Sequence, residues 1–190
     1  MIEKNRLVAI TDGIVAVAAT VMVLQLRIPD RATWAAVRAQ LPTLLAYIGS
    51  FLQIFLAWHE HHDVFAKVEK VNHRIFLINC LWLFFVTLLP FVTGMVGRSP
   101  DDRATVLVFL AILLLEELTI KLECDMVKKY GDEGILDANI IHTVRRISFA
   151  GNTLAVVCAF FFPIVSIILV VLCRLVEVVV ICEFDKKVHG

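Results

Sequence analysis

Charge is missing from this sequence in the places where its apolar residues are densest. Six segments (residues 7–26, 43–58, 75–96, 105–122, 148–162 and 164–181) hold only 6 of the chain's 36 charged residues. Three of them (43–58, 75–96 and 148–162) hold none. A soluble core needs amphipathic elements with a polar face, so a soluble globular domain is excluded, and so is a disordered tail. Eighteen Lys and Arg balance eighteen Asp and Glu, which leaves no basic excess for a nucleic-acid partner. The five cysteines are odd in number and form no C-x-x-C pair, against a secreted disulfide scaffold. A Gly-rich phosphate loop, a nucleophile elbow, a zincin motif and the T-V-G-Y-G potassium filter are all lacking. The chain is expected not to be an enzyme, with no catalytic residue, no metal site and no cofactor.

What is present is length and apolarity. The 190 residues are 59% hydrophobic with a mean hydropathy of +0.84, against about 45–50% apolar residues in soluble domains. The fold class expected is all-α: a polytopic membrane protein with six transmembrane helices forming one domain over residues 1–190. A bilayer core of about 30 Å takes about 20 helical residues, and residues 75–96 meet that requirement alone. Residues 148–181 are too long for one span, and Pro163, which follows Phe160, Phe161 and Phe162, predicts a break into two helices. The apolar runs do not alternate with polar residues, which excludes barrel strands. Asp12 interrupts the first apolar segment and no convincing cleavage site follows, so residues 7–26 are read as a retained helix and not as a signal peptide.

Lys and Arg set the orientation. With the N-terminus inside, twelve positive residues (Lys4, Arg6, Lys67, Lys70, Arg74, Lys121, Lys128, Lys129, Arg145, Arg146, Lys186 and Lys187) fall on the inner side. Five (Arg27, Arg31, Arg38, Arg98 and Arg103) fall outside. A multi-pass protein of the cell membrane with both termini cytoplasmic is expected. The connections are residues 27–41 and 98–103 outside, and 59–74 and 124–146 inside, the last with a turn signal at Gly131-Asp132-Glu133-Gly134. None is long enough to hold a catalytic domain.

Ionisable residues within membrane helices are expensive and are functional candidates by default. Asp12 lies in the first helix, nearly two turns after Arg6, which favours partners on neighbouring helices for both. Glu117 and Lys121 are spaced as an i,i+4 pair, and Arg174 and Glu177 as an i,i+3 pair, so each pair is expected to neutralise itself. His59, Glu60, His61, His62 and Asp63 form the densest set of potential ligands, but adjacent helical residues point about 100° apart and do not converge on one ion. A membrane-embedded metal-binding protein and a proton-coupled transporter are the alternatives that these groups leave open.

The first helix is unusual. Small residues (Gly13, Ala16, Ala18, Ala19 and Thr20) permit close backbone approach. Val17, Thr20, Val21 and Leu24 share one face at i, i+3, i+4 and i+7. That face is either buried packing or the wall of an axial pore whose apolar rings gate by dewetting.

Arg6, five residues, Asp12 and Gly13, then Ala16 and Thr20-Val21-Met22-Val23-Leu24, resemble the first helix of the transmembrane protein 175 family of potassium channels, whose signature is R-x-x-x-F-S-D. Ile10 and Thr11 stand in place of the Phe and Ser, and Thr11 keeps the hydroxyl. Trp58-x-x-His61-His62 resembles the end of that family's second helix. Asn79, residues 81–85 and Leu89-Pro90-Phe91 resemble its third. The resemblance covers about the first half of the chain. It implies a homotetramer of six-helix subunits in the lipid bilayer, passing potassium and other monovalent cations passively, with the first helix lining the axis. Val17 would then form the constriction, with Thr20 or Val21 and Leu24 at successive levels toward the outside. Arg6, Thr11, Asp12, Trp58, His61 or His62, and Asn79 would form the polar network holding that helix in place.

Overall fold

A computed structural model describes residues 2–26, 30–31, 33–66, 68, 70–130 and 138–189. Among these residues the chain forms six long helices, one short helix and a two-residue strand pair. In order they are β1 (Ile2–Glu3), α1 (Lys4–Val23), α2 (Trp34–Ala39), α3 (Leu41–Ala66), β2 (Lys70–Val71), α4 (His73–Arg98), α5 (Arg103–Tyr130), α6 (Ala138–Ala159) and α7 (Pro163–His189). The expected helical class is found, with one small departure. β1 pairs antiparallel with β2, Ile2 opposite Val71, and ties the start of α1 to the connection between α3 and α4.

Four of the long helices (α1, α3, α4 and a stretch of α7) are long and apolar enough to cross a membrane. The helix ends follow local chemistry. Asn72 caps α4 by accepting from the Ile75 backbone N–H at 2.9 Å. Asp102 does the same for α5, accepting from both the N–H and the hydroxyl of Thr105 at 2.8 and 2.7 Å. Those donors hold the Asp102 carboxyl below the usual carboxylate range. The cap therefore contributes at neutral pH and fails only as pH falls through that lowered value. Pro163 opens α7 as expected, because a first-turn residue needs no N–H partner, and Phe160 to Phe162 form the turn before it.

Several boundaries differ from the sequence reading: α2 forms within the expected connection 27–41, α6 already starts at Ala138 within the expected connection 124–146, and α3 and α5 outlast their apolar runs. α3 runs two turns beyond Trp58, so residues 59–66 are helix and not connection. No Gly or Pro interrupts them, and Val64 and Phe65 carry the buried face onward. α5 likewise continues past Leu122, with Cys124 and Val127 buried. The turn expected at residues 131–134 lies outside the described residues, as do Arg27 and Lys67 and the side chains of Lys186, Lys187 and His189.

α4 packs most extensively on α5 and α6 on α7, while α1 lies against α4 and α3. Buried Trp82, Val86 and Leu89 of α4 join Val106, Phe109, Leu110 and Leu113 of α5 in one apolar cluster. A second contact region is polar. Arg174 of α7 lies 2.8 Å from Glu177, lies 3.6 Å from Glu117 of α5, and donates to the Ser148 hydroxyl of α6. Asn152 of α6 donates to Glu117 at 2.5 Å. The expected Arg174–Glu177 pair is present. Glu117, however, turns to Arg174 and Asn152, and Lys121 is exposed, so the expected Glu117–Lys121 pair is replaced by one crossing three helices. A buried guanidinium outweighs an exposed ammonium as partner because solvent screens it less.

Removing one partner of such a buried cluster leaves unpaired charge. Arg174→Met is expected to destabilise the protein by about 3–5 kcal/mol. Adding Glu177→Leu should restore part of the loss. Reversible unfolding in mixed micelles, compared between the single and double variants, measures both.

Candidate functional site

α1 presents two unlike faces. Leu7, Thr11, Val15, Ala18 and Met22 recur every three or four residues and are buried against α3 and α4. The face bearing Val17, Thr20, Val21 and Leu24 is bare. Val17 is 61% exposed and Leu24 74%, whereas Met22 between them is wholly buried. The Thr20 hydroxyl donates to the carbonyls of Ala16 and Val17 at 3.0 and 2.9 Å. Its hydrogen is thus spent on the helix, and its oxygen lone pairs remain for a cation or water.

The buried face is held by polar bonds. The Thr11 hydroxyl donates to Asn79 Oδ1 of α4 at 3.2 Å, and Asn79 Nδ2 donates to His61 Nε2 of α3 at 3.2 Å. Because Nε2 accepts, the imidazole proton is on Nδ1. All three side chains are fully buried. One position along α1, Trp58 Nε1 of α3 donates to Asp12 Oδ1 at 2.8 Å.

The remaining members of the sequence-derived network are placed differently. His62 is exposed, and its ring lies 5.6 Å from that of Trp58, outside the buried chain. Of the two histidines left open, His61 is the one that reaches Asn79. Arg6 is exposed, and among the described residues no hydrogen bond or ion pair reaches it. Six residues rotate a helix by about 240° relative to Asp12, so Arg6 looks away from the face that Asp12 uses. His59 and Asp63 form an exposed pair 3.8 Å apart. His61 is turned inward from them, so the histidine cluster divides between surface and core.

Further residues join the site that the sequence did not single out. His61 stacks between Phe65 (4.3 Å between centroids) and Trp82 (5.2 Å). Trp82 Nε1 donates to Glu116 Oε1 at 2.6 Å, and Gln53 Nε2 donates to the other Glu116 oxygen at 2.5 Å. Glu123 Oε1 lies 3.8 Å from His61 Nε2. A signal existed for these carboxyls: Glu116 and Glu123 are seven apart and so share a face of α5, the face on which Leu113 and Ile120 are buried.

Between α1 and α4 an open apolar groove of about 830 Å³ runs beside the bare face, lined by Ile10, Val17 and Val21 on one side and Pro90 and Phe91 on the other.

Comparison with known proteins now decides the family. The family model described as endosomal/lysosomal potassium channel TMEM175 matches residues 6–90. A potassium channel of Chryseobacterium sp. (strain P1-3) is 31% identical over 166 residues, covering 86% of each chain. The chain belongs to the TMEM175 family. The human member, an endosomal/lysosomal proton channel, is 34% identical over 117 residues, which are 54% of this chain and 23% of that one. The fold matches the crystal structure of a lysosomal potassium-selective channel TMEM175 homolog from Chamaesiphon minutus, with a TM-score of 0.76 and 22% identity over 95% of this chain and 97% of that one. The TMEM175 family match covers α1, α3 and most of α4, the helices that supply Thr11, Asp12, Trp58, His61 and Asn79.

The bonds rank the site residues. Asn79→Leu severs two buried hydrogen bonds and strands Thr11 and His61, and Trp58→Phe removes one donor from Asp12. Each unsatisfied group is worth about 1–3 kcal/mol, so Asn79→Leu should lower thermal stability more than Trp58→Phe. Arg6→Gln should change it by less than about 0.5 kcal/mol. Thermal melts of the three purified variants test the order, and an Arg6→Gln loss equal to that of Asn79→Leu would relocate the anchor.

Proposed function

We propose that the chain is one subunit of a homotetrameric potassium-permeable cation channel of the cell membrane. In this reading all six long helices cross the bilayer with both termini cytoplasmic, and α1 lines the axis. The observation that carries it is the division of α1: one face is hydrogen-bonded into the subunit, while Val17, Thr20, Val21 and Leu24 are left bare along the other. Family membership and the naming of bacterial relatives as potassium channels support it.

The mechanism follows from the residue types. Four copies around an axis turn Val17, Val21 and Leu24 into apolar rings and Thr20 into a ring of oxygens. An apolar ring offers an ion neither charge nor carbonyl, so ions pass only where the ring is wide enough to stay wet. The Thr20 oxygens replace part of a hydration shell. Without a rigid carbonyl cage, selectivity for potassium over sodium is modest. α5 carries more charge than the other spans, and α5 and α6 place Glu116, Glu117 and Asn152 toward protein and not toward lipid.

Purified protein reconstituted in liposomes should pass potassium passively, and absence of flux above empty liposomes under several potentials would sink the reading. Leu24→Asn and Val17→Asn should each raise potassium leak several-fold by wetting the constriction, and unchanged leak in both would place the pore elsewhere. A proton-sensitive dye in the same liposomes separates potassium from protons, the ion named for the human relative. Dependence of flux on a proton gradient with saturation by substrate would favour a coupled transporter.

A further inference from the structure

α5 lies outside the residues that the family model matches, yet two of its carboxyls stand beside the residues that hold α1. Glu123 and Glu116 are each no more than 1% exposed, at a depth where a polar side chain without purpose is costly. Only Glu123 stands near the imidazole of His61, while Glu116 reaches it through the ring of Trp82. Glu123 Oε1 stands 3.8 Å from His61 Nε2, the nitrogen that receives the Asn79 amide hydrogen. Glu116 fixes the indole of Trp82 through its N–H at 2.6 Å, and that indole lies nearly parallel to the imidazole, 18° between planes. Gln53 pins the second Glu116 oxygen, so the carboxyl cannot rotate away from Trp82 without losing a bond. Glu116 therefore braces the stacking plane of His61, whereas Glu123, whose two oxygens make no hydrogen bond among the described residues, faces a nitrogen whose lone pair Asn79 already uses.

We propose that Glu116 is a positioning residue for α1. Through Trp82 it holds the His61 ring, and through Asn79 and Thr11 it sets where the first half of α1 stands. His61 Nε2 has one lone pair to offer Asn79, so any displacement of the ring is felt directly at the Asn79–Thr11 bond. The consequence for conduction rests on the channel reading above, whereas the positioning itself does not.

Amide hydrogen exchange on the full chain in lipid nanodiscs tests this. Glu116→Leu should speed exchange in residues 7–15 of α1 by about 2- to 10-fold and leave α6 and α7 unchanged. Glu116→Gln, which turns an amide N–H₂ toward one of the two donors, should act in the same direction. Thr11→Val cuts the link, so Glu116→Leu added to Thr11→Val should change α1 no further. Unchanged α1 exchange in both carboxyl variants would overturn the proposal. So would additive effects in the double variant, or equal speeding in α6 and α7, which is general loosening. Glu116→Gln, nearly isosteric, is judged by the same criteria if the Leu variant does not fold. In liposomes, the same variants should change potassium flux without changing subunit number. A wild type that passes no potassium would refute the channel reading alone, and the exchange result would still decide the brace.

Discussion

Asn79 is the side chain on which the placement of α1 turns. Its carbonyl receives Thr11 and its amide nitrogen serves His61, so one residue of α4 joins α1 to α3. A soluble helix is rotated into place by its apolar stripe, but α1 is apolar on both sides, and lipid tails are no more polar than Leu or Val. Hydrophobicity therefore leaves the rotation of α1 about its own axis nearly unset. Two bonds set it: Thr11 to Asn79 and, one residue and about 100° further round, Asp12 to Trp58. In a medium that offers no substitute partners, leaving either unmade is unfavourable. Fixing the rotation decides which residues are buried and which are bare, so the exposure of Val17 and Leu24 is a consequence of bonds made two to four turns away.

The same logic organises the second half of the chain. α5, α6 and α7 bring Glu117, Asn152, Ser148, Arg174 and Glu177 to one place between helices. Each would be expensive facing lipid, so together they fix which sides of these helices meet. α7 needs this most, because it is apolar nearly all round, with Leu172, Leu175, Val176 and Val179 exposed. Without Arg174 and Glu177 its rotation would be as free as that of α1 without Thr11.

The long apolar runs were legible in the sequence, because a lack of charge over about twenty residues has few other meanings in a chain of this composition. Pro163 was legible as a break for the same local reason. The ends of α3 and α5 were not, since the helices outlast their apolar runs and hydropathy falls at Trp58 and Leu122 while helical hydrogen bonding continues. At the site, Thr11, Asp12, Trp58 and Asn79 were readable from a motif, whereas the choice between His61 and His62 depended on which faces the core. Glu117 shows the converse: its spacing to Lys121 was a sound local argument, overridden by a partner 57 positions away on a helix whose placement no spacing rule gives. Glu116 and Glu123 were visible as a pair seven apart, but their meaning lies in what stands opposite, and only the packing of α3 and α4 on α5 supplies His61 and Trp82.

Anchor and gate are, on the proposed reading, two sides of one helix, and this constrains how such a pore can open. The apolar levels at Val17 and Leu24 bracket a single level of oxygens at Thr20, whose hydrogens already belong to the backbone. An ion is therefore welcomed at one level and merely tolerated at the others, and passage depends on the radius there. Radius in a ring of four helices changes with the tilt or rotation of each, and α1 cannot do either freely while Thr11 and Asp12 are bonded. Either the bonds at Asn79 and Trp58 yield, or α3 and α4 move with α1 as a unit. Asn79 and Trp58 belong to helices that also pack on α5 and α7, so the second course moves most of the subunit. The first requires the partners of only two side chains to shift, and His61, stacked on the Trp82 ring that Glu116 of α5 holds, is where that shift would be resisted.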